Sequence, residues 1–433
     1  MNSYRTSTWG DEISLEYGKS LKGYQNSNGT YQVFGSNGPI GWTDKPLCKG
    51  PGIILGRKGA YRGVKFSEKD FYVIDTAYYV VPKTDLDLNW LYYAIKYYKL
   101  GEIDDGSPIP STTRAAVYVR EFDIPSKEVQ VKMGNILKKI DLKIELNNQI
   151  NETLESIAQA IFKSWFIAFD PVRAKIAAKQ EGKDSELAAM CVISGKSEVE
   201  LQQMAKEDFA ELQATAALFP DELVENELGE VPKGWSKTDL SILADLNVQS
   251  WSKKNHPKNI KYVDLSNTKK GVIQQTEEFL FEEAPSRARR VLKVGDTIVG
   301  TVRPANGSYA FIQQDSLTGS TGFAVLTPKK DVYAEFIYIA SIDEENIKRL
   351  AHLADGGAYP AVNYDTVLNT PCILPIENKD GILNLFHKNV KEFYLLSASK
   401  FEENNILASI RDTLLPKLLS GEIDVSLLNR AQV

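Results

Sequence analysis

The run YQVFGSNGPIG places Gly35, Gly38 and Gly41 directly after a short β-like stretch that begins at Tyr31. A glycine-rich loop there could close its backbone amides on a phosphate, or on the methionine tail of a methyl donor. The dinucleotide fingerprint requires G-x-G-x-x-G at the opening of a helix. Here the spacing is G-x-x-G-x-x-G, and the following WTDKPLCKGPG cannot begin a helix. FGSNG has the outline of the F-x-G-x-G start of a methyl-donor site, yet no N/D-P-P-Y/F tetrapeptide stands anywhere to hold a target base. The glycines are therefore read as turn formers that let backbone approach a neighbouring strand or a ligand.

Other chemistry finds no home. Cys48, Cys191 and Cys372 are far apart, as are His256, His352 and His387, so no metal-ligand spacing and no disulfide framework is present. Separated thiols in odd number suit a reducing cytoplasm. There is no Ser–His–Asp set, Walker loop or nuclease-like cluster, and the adjacent acids Asp104 and Asp105 read as solvated loop carboxylates. With 433 residues, 43% hydrophobic and 25% charged, the chain has the composition of a soluble globular protein of two or three domains. The opening MNSYRTSTWGDE carries no secretory pattern, and no apolar run is long enough to span a bilayer. The expectation is a cytoplasmic binding protein without a cofactor, a metal or a membrane partner of its own.

A net charge of -6 looks wrong for a nucleic-acid binder until it is divided along the chain. Residues 1–125 carry +1, residues 126–235 carry −6, residues 236–378 carry −1 and residues 379–433 carry 0. The acidity sits in the middle, and the flanking regions are free to gather positive charge on one face. Duplex DNA is read by Arg and Lys at guanine edges and phosphates and by Asn and Gln at adenine, with hydroxyls and aromatics alongside. In the first part such residues collect on loops at Ser36 and Asn37, at Arg57, Lys58, Tyr61 and Arg62, and at Ser111, Thr112, Thr113 and Arg114. In the later part they stand at Lys253 and Lys254, at Arg287, Arg289 and Arg290, at Arg303, Asn306 and Tyr309, and at Tyr359 and Asn363.

The elements that must position these loops are written twice. IILGRKGA (Ile53 to Ala60) echoes TIVGTVRP (Thr297 to Pro304), DTAYYVVPK echoes STGFAVLTPK, and DDGSPIPS echoes ADGGAYPA. The matches are collinear, which is the mark of a duplicated unit. Each copy begins with β-rich segments and turns, adds a short helix (NWLYYAIKYY, then AEFIYIASI), and closes with a Pro and a long helical stretch. In the first stretch Leu137, Ile140, Ile144, Asn147, Asn151, Leu154, Ala158, Ile161 and Trp165 alternate in steps of 3 and 4. The second repeats this at Val390, Phe393, Ser397, Lys400, Asn404, Leu407, Arg411, Leu414 and Leu418, with Pro416 expected to bend or end it. The spacing is that of a coiled-coil seam, with Asn151 and Asn404 in equivalent, register-fixing places. Helices of about 40 residues are roughly 60 Å long, so pairing with each other is the better reading than packing on separate small domains. Between the copies, the acidic stretch 176–228 is expected to form one or two extra helices and a connector to Pro232–Trp235.

FGSNGPIG, FKSWFIAFDPVRAK, LFPDELVENELGEVPKGW, RVLKVGDTIVGTVRP and LLPKLLSGEI together resemble the specificity (S) subunits of type I restriction–modification systems, over essentially the whole chain. The resemblance implies an α+β fold of two duplicated α/β target-recognition domains, separated by two long antiparallel conserved helices that form a coiled-coil-like spacer. It places target-recognition domain 1 at residues 1–125, a central conserved helical region with an acidic helical insert at 126–230, target-recognition domain 2 at 231–378, and the C-terminal conserved helix at 379–433. It implies a non-catalytic subunit whose two domains each read half of a bipartite, asymmetric double-stranded DNA target through the major groove. The paired helices would set half-site spacing and dock two modification (methyltransferase) subunits. Methyl donor, ATP and Mg would reside on the modification and restriction (translocase/nuclease) subunits. Rival readings are the specificity module of a type II-like methyltransferase or nuclease, and a non-DNA helical scaffold with duplicated binding domains.

Overall fold

The computed structural model describes residues 4–26, 28–104, 106, 109–226, 229–357 and 359–425, so Asp105 falls outside the described residues. The chain divides into two compact units, Met1–Asn148 with Phe401–Val433, and Gln149–Lys400. Both boundaries fall inside the long helices Lys127–Phe166 and Lys379–Leu419, so each unit holds part of both helices.

The two units repeat one sheet plan. In the first, four antiparallel strands lie in the order Ile13–Tyr17, Ala77–Pro82, Gly52–Gly56 and Val64–Ser67. In the second, the order is Ala244–Leu246, Phe323–Pro328, Thr297–Gly300 and Tyr309–Phe311. A smaller sheet in the first unit pairs Tyr31–Gly35 antiparallel with Gly38–Thr43 and parallel with Phe71–Val73. Its counterpart keeps the parallel pair, Asn259–Val263 with Leu317–Ser320, and adds the strand Ala288–Leu292. That added strand carries Arg289 and Arg290.

The glycine run is thereby explained. It forms a hairpin in which Gly35 pairs with Gly38 across the two-residue turn Ser36–Asn37. Gly38 has φ of 130°, which glycine alone adopts without strain. At Gly41 a Cβ atom would stand 2.2 Å from the Tyr24 carbonyl oxygen, so the close approach requires glycine.

Each short helix buries an apolar face on its sheet. Leu88–Tyr97 is capped by the Asp87 carboxylate, which accepts from the Trp90 amide at 2.9 Å, and it buries Trp90, Leu91, Ala94 and Ile95. Ala334–Ile342 is wholly buried and mostly apolar, with Glu335 paired to His387 at 2.6 Å and Ser341 donating to the Ile337 carbonyl at 2.7 Å.

The helices pair antiparallel within each unit. In the first, Arg411 Nη1 donates to Asp141 at 2.9 Å, Lys143 meets Glu403 at 3.4 Å, and Asn147 Nδ2 donates to Asn404 Oδ1 at 2.9 Å. In the second, Phe162 and Trp165 pack on Phe386, with ring centroids 6.1 and 6.0 Å apart. No residue of the two seams is exposed; Leu137, Asn147, Ala158, Trp165, Val390, Asn404 and Leu418 are buried.

Three expectations are corrected. Asn404 bonds to Asn147 and Asn148, whereas both side-chain polar atoms of Asn151 are buried without a partner among the described residues. Residues equivalent by duplication need not stand opposite each other in an antiparallel pair, and here they are one turn out of step. The second helix continues through Pro416 to Leu419. In the last turn the proline forfeits a single hydrogen bond, while Leu418 and Leu419 are held in the first unit's core. The acidic stretch forms more helices than expected. After Asp170–Gln180 come Ser185–Ser194, Glu198–Gln202 and Lys206–Ala216, followed by the hairpin of Leu223–Asn226 with Gly229–Pro232. Asp184 caps one start, Gly195 ends that helix with φ of 68°, and Ser197 with Glu200 forms a capping box for the next. Ala189, Met190, Leu201 and Ala216 make its own small core. The buried Lys175 ammonium ties it down, donating to Glu186 at 2.6 Å and to the Phe219 carbonyl at 2.8 Å.

Candidate nucleic-acid interface

The same pair of loops crosses at the end of the same central strand in both units. In the first, the Gly59 amide donates to the Pro110 carbonyl (3.0 Å), Thr112 to Arg57 (2.9 Å), and Arg57 to Thr76 (3.0 Å). In the second, Arg303 donates to Pro360 (2.7 Å), Val362 to Thr301 (3.0 Å), and Thr301 to Gly322 (2.9 Å). Isolated bridges join Lys58 with Ser111 and Val302 with Ala361. These bonds match Lys58 with Val302, Gly59 with Arg303, Ser111 with Ala361, Thr113 with Asn363, and Arg114 with Tyr364. The bonds that recur in both units run between backbone groups, so side chains at the tip are free to differ.

In the first unit the tip is a cationic–aromatic stack. The guanidinium groups of Arg57 and Arg114 lie 4.9 and 4.2 Å from the centroid of Tyr17, whose side chain is half-exposed. Arg57 Nη1 donates to the Asp75 carbonyl at 3.1 Å, and Arg114 Nε donates to the Leu15 carbonyl at 2.6 Å. The Glu16 carboxylate stands 3.4 Å from Arg114. Beneath them the Tyr78 hydroxyl donates to the Thr112 carbonyl, and burial, then the neighbouring Tyr17 hydroxyl, raise its pKa so that it stays a neutral donor. Asn37 and Lys58 are exposed beside the stack, and Tyr61 is 77% exposed.

Five of the expected contact residues in this unit face inward or are engaged in the frame. Thr112 is buried, with its hydroxyl donating to the Ile103 carbonyl at 3.0 Å. Arg62 donates to the carbonyls of Gly101, Gly59 and Ile103 at 2.8, 2.7 and 3.3 Å, so its fork positions the loop. Ser36 donates its hydroxyl to the Thr76 carbonyl at 2.7 Å. Thr113 caps the helix Arg114–Tyr118 by accepting from the Ala116 amide, and Ser111 lies in the bridge with Lys58.

In the second unit Arg303 lies 4.9 Å from the ring centroid of Tyr359, which is 71% exposed. Asn306 and Asn363 are exposed beside that frame. Arg290 lies over Tyr364 at 5.2 Å and donates to Ser250 at 3.2 Å, while the Tyr364 hydroxyl donates to the Thr321 carbonyl at 2.6 Å. Arg287 faces the Asp264 carboxylate at 3.5 Å, and Arg289 covers Phe281 at 4.5 Å. Lys253 and Lys254 are exposed on the turn between Ser252 and Asn255. Tyr309 instead packs against the unit's main core, where burial and then the Glu155 carboxylate raise its pKa. Tyr309 is therefore a core residue rather than a contact at the loop tip.

Tyr17 and Tyr364 were not singled out by the sequence. Tyr17 ends the alternating strand ISLEY and Tyr364 opens a short helix, so nothing local marks either. Only the topology brings them beside the arginines. Among the described residues no group of three metal-ligating side chains occurs, and no helix is long and apolar enough to cross a membrane.

Comparison with known proteins gives the same class. The family described as the type I restriction modification DNA specificity domain matches residues 8–156. The HindI specificity subunit of Haemophilus influenzae is 32% identical over 384 residues, covering 82% of each chain. The MjaIX specificity subunit of Methanocaldococcus jannaschii is 25% identical over 360 residues, 80% of this chain and 71% of that one. A crystal structure of a type I restriction–modification S subunit from M. genitalium has the same fold, with a TM-score of 0.52 at 15% identity, over 98% of this chain and 97% of that one. The chain belongs to the type I restriction enzyme specificity subunits.

Proposed function

We propose that this chain is the non-catalytic, sequence-reading subunit of a type I restriction–modification enzyme. Each unit reads one half of a bipartite, asymmetric duplex target. The first uses Asn37, Arg57, Lys58, Tyr61 and Arg114 around Tyr17, and the second uses Arg303, Asn306, Tyr359 and Asn363 with Arg290 beside Tyr364. The two long helices fix half-site spacing and dock modification subunits, which supply the methyl donor; restriction subunits supply ATP-driven cleavage. What carries this reading is the twice-built loop crossing, whose backbone frame repeats while its tip chemistry differs.

The energetics fit a two-part reader. A good bidentate base contact discriminates by about 1–3 kcal/mol, so neither unit alone is selective enough. Linking them makes the second engagement intramolecular. With a net charge of -6, the isolated chain should bind DNA weakly, with much of the phosphate contact coming from its partner subunits.

The test is methylation mapping in cells that express the chain with its modification subunits. Arg114→Ala should degrade recognition of one half of the target, and exchanging residues 1–125 for those of another specificity subunit should replace that half alone. Change in both halves, or in neither, overturns the modular reading. Methyl transfer by the purified chain without partners overturns the non-catalytic one.

A further inference from the structure

In the first unit the strand pair Arg5–Thr8 with Glu121–Ile124 frames an aromatic pile. Trp9 stacks on Phe122 with centroids 3.8 Å apart, and Trp90 and Tyr98 close around Phe122 at 6.3 and 5.9 Å. The frame recurs in the second unit as Trp235–Asp239 paired with Pro371–Pro375. The Trp9 amide donates to the Arg120 carbonyl at 3.0 Å, as the Leu240 amide does to Thr370 at 3.1 Å. Thr8 and Asp239 each cap the turn that follows. The register then matches Trp9 with Leu240 and Phe122 with Cys372. Equal spacing from Pro82 and Pro328 matches Trp90 with Phe336. At the matching positions the second unit has a leucine, a thiol and one phenyl ring, and the rings of Phe162 and Phe166 approach that phenyl from the first long helix.

A cavity of about 410 Å³ borders that depleted position, with Phe162, Phe166, Phe336, Cys372 and Ile373 on its apolar wall. Phe166 and Phe336 stand edge to face, centroids 4.9 Å apart. The polar side is largely satisfied. Arg349 Nε donates to Asn346 at 2.9 Å, its Nη2 donates to Thr366 and Thr370 at 3.2 and 3.3 Å, and Asn346 Nδ2 donates to the Ser341 carbonyl at 2.8 Å. These groups fix the cavity's shape and leave its apolar wall to do the binding.

We propose that the second unit binds a small planar aromatic molecule of one or two fused rings in this cavity, against Phe166, Phe336 and Cys372. The volume and the mostly apolar lining are those of a small-molecule site. In the first unit the same two places carry stacked rings, Phe122 where the second has Cys372 and Trp90 where it has Phe336. Offset and edge-on ring contacts favour a flat aromatic occupant over an aliphatic one. The site does not depend on the DNA-reading assignment.

The experiment uses the full chain and 5-fluoroindole, followed by fluorine NMR. Saturable binding with Kd of about a millimolar or tighter is expected. Cys372→Phe, which restores the missing ring, should weaken it about tenfold or more. In the unaltered chain, saturating 5-fluoroindole should slow methylthiolation of Cys372 by about tenfold while leaving Cys48 and Cys191 unchanged. Absence of saturable binding, which is the behaviour of a mere packing gap, overturns the proposal. Undiminished binding by the variant, or no protection of Cys372, does so as well. Should the variant fail to fold, thiol protection in the unaltered chain decides the matter.

Discussion

Asn404 makes two side-chain bonds across the helix pair near the middle of the first long helix, accepting from Asn147 and donating to Asn148 at 2.9 Å each. Asn147 is fully buried, whereas Asn148 is exposed and can turn to water. Asn404→Ala therefore leaves one amide donor stranded away from solvent, at a cost of about 1–3 kcal/mol. Asn147→Ala strands the Asn404 carbonyl oxygen but spares its bond to Asn148, so about 1–2 kcal/mol is expected. Removing both side chains removes the stranded groups as well. The double variant should lose less than the singles combined, with a coupling of about 1–2 kcal/mol. Hydrogen exchange of the amides of residues 127–148 measures this locally, without requiring the whole chain to unfold as one. Additivity within about 0.5 kcal/mol would refute the pairing of these two asparagines. Leucine at both positions should be more stable still, and should relax the register that the polar pair specifies.

Further outcomes follow from the same geometry. The Glu12 carboxylate is buried and gripped by Arg5 and Thr84, chiefly Arg5, which holds its pKa at about 2 against an ordinary 4.5. Its folded value lies below its unfolded one, so its contribution is complete above about pH 4.5 and is lost as pH falls toward 2. Glu12→Gln should cost about 1–2 kcal/mol at neutral pH, because the half-exposed Arg5 is partly screened, and a pH-independent loss in urea unfolding would refute this. Arg62→Ala should destabilise the 57–63 loop by about 2–4 kcal/mol with three carbonyls released, and Arg62→Lys should not restore it, because one ammonium cannot reproduce the fork. Lysine rescue of half-site recognition would mean that Arg62 acts as a charge on DNA rather than as a brace. Pro416→Ala should restore a donor within the last helical turn and stabilise the first unit by about 1 kcal/mol in the same unfolding measurement.

Much of this was legible because it is periodic. Steps of 3 and 4 delivered both seams, and the glycine run was legible as tight turns beside a β-stretch, whereas its pairing into the hairpin at Ser36–Asn37 was not. What was illegible concerns direction rather than type. Thr112 and Arg62 have the residue types of DNA contacts, yet their side chains turn toward carbonyls of the 101–103 segment that only the fold brings near. The equivalence of Asn151 and Asn404 was visible, but antiparallel pairing puts a residue opposite a different turn, which no comparison of the repeats reveals. In the acidic stretch the stops and starts at Asp184, Gly195 and Ser197 were present as capping residues. Overall helical propensity masked how often they interrupt it.

The division of labour between frame and tip explains how two readers can differ without endangering the fold. At the crossing, every bond that repeats is between main-chain groups, so the replacement of Lys58 by Val302 or of Gly59 by Arg303 leaves the frame's hydrogen bonds intact. Arg303 does accept a left-handed conformation, φ of 48°, which costs a non-glycine residue something. A side chain is retained there against that strain, and it lies over the exposed ring of Tyr359. Strain tolerated at an exposed tip, rather than in the core, is what selection for contact with a partner would leave behind. The first unit places Gly59 at the corresponding position and builds its cationic stack instead from Arg57 and Arg114 around Tyr17. The two tips therefore present positive charge and aromatic surface from different backbone positions.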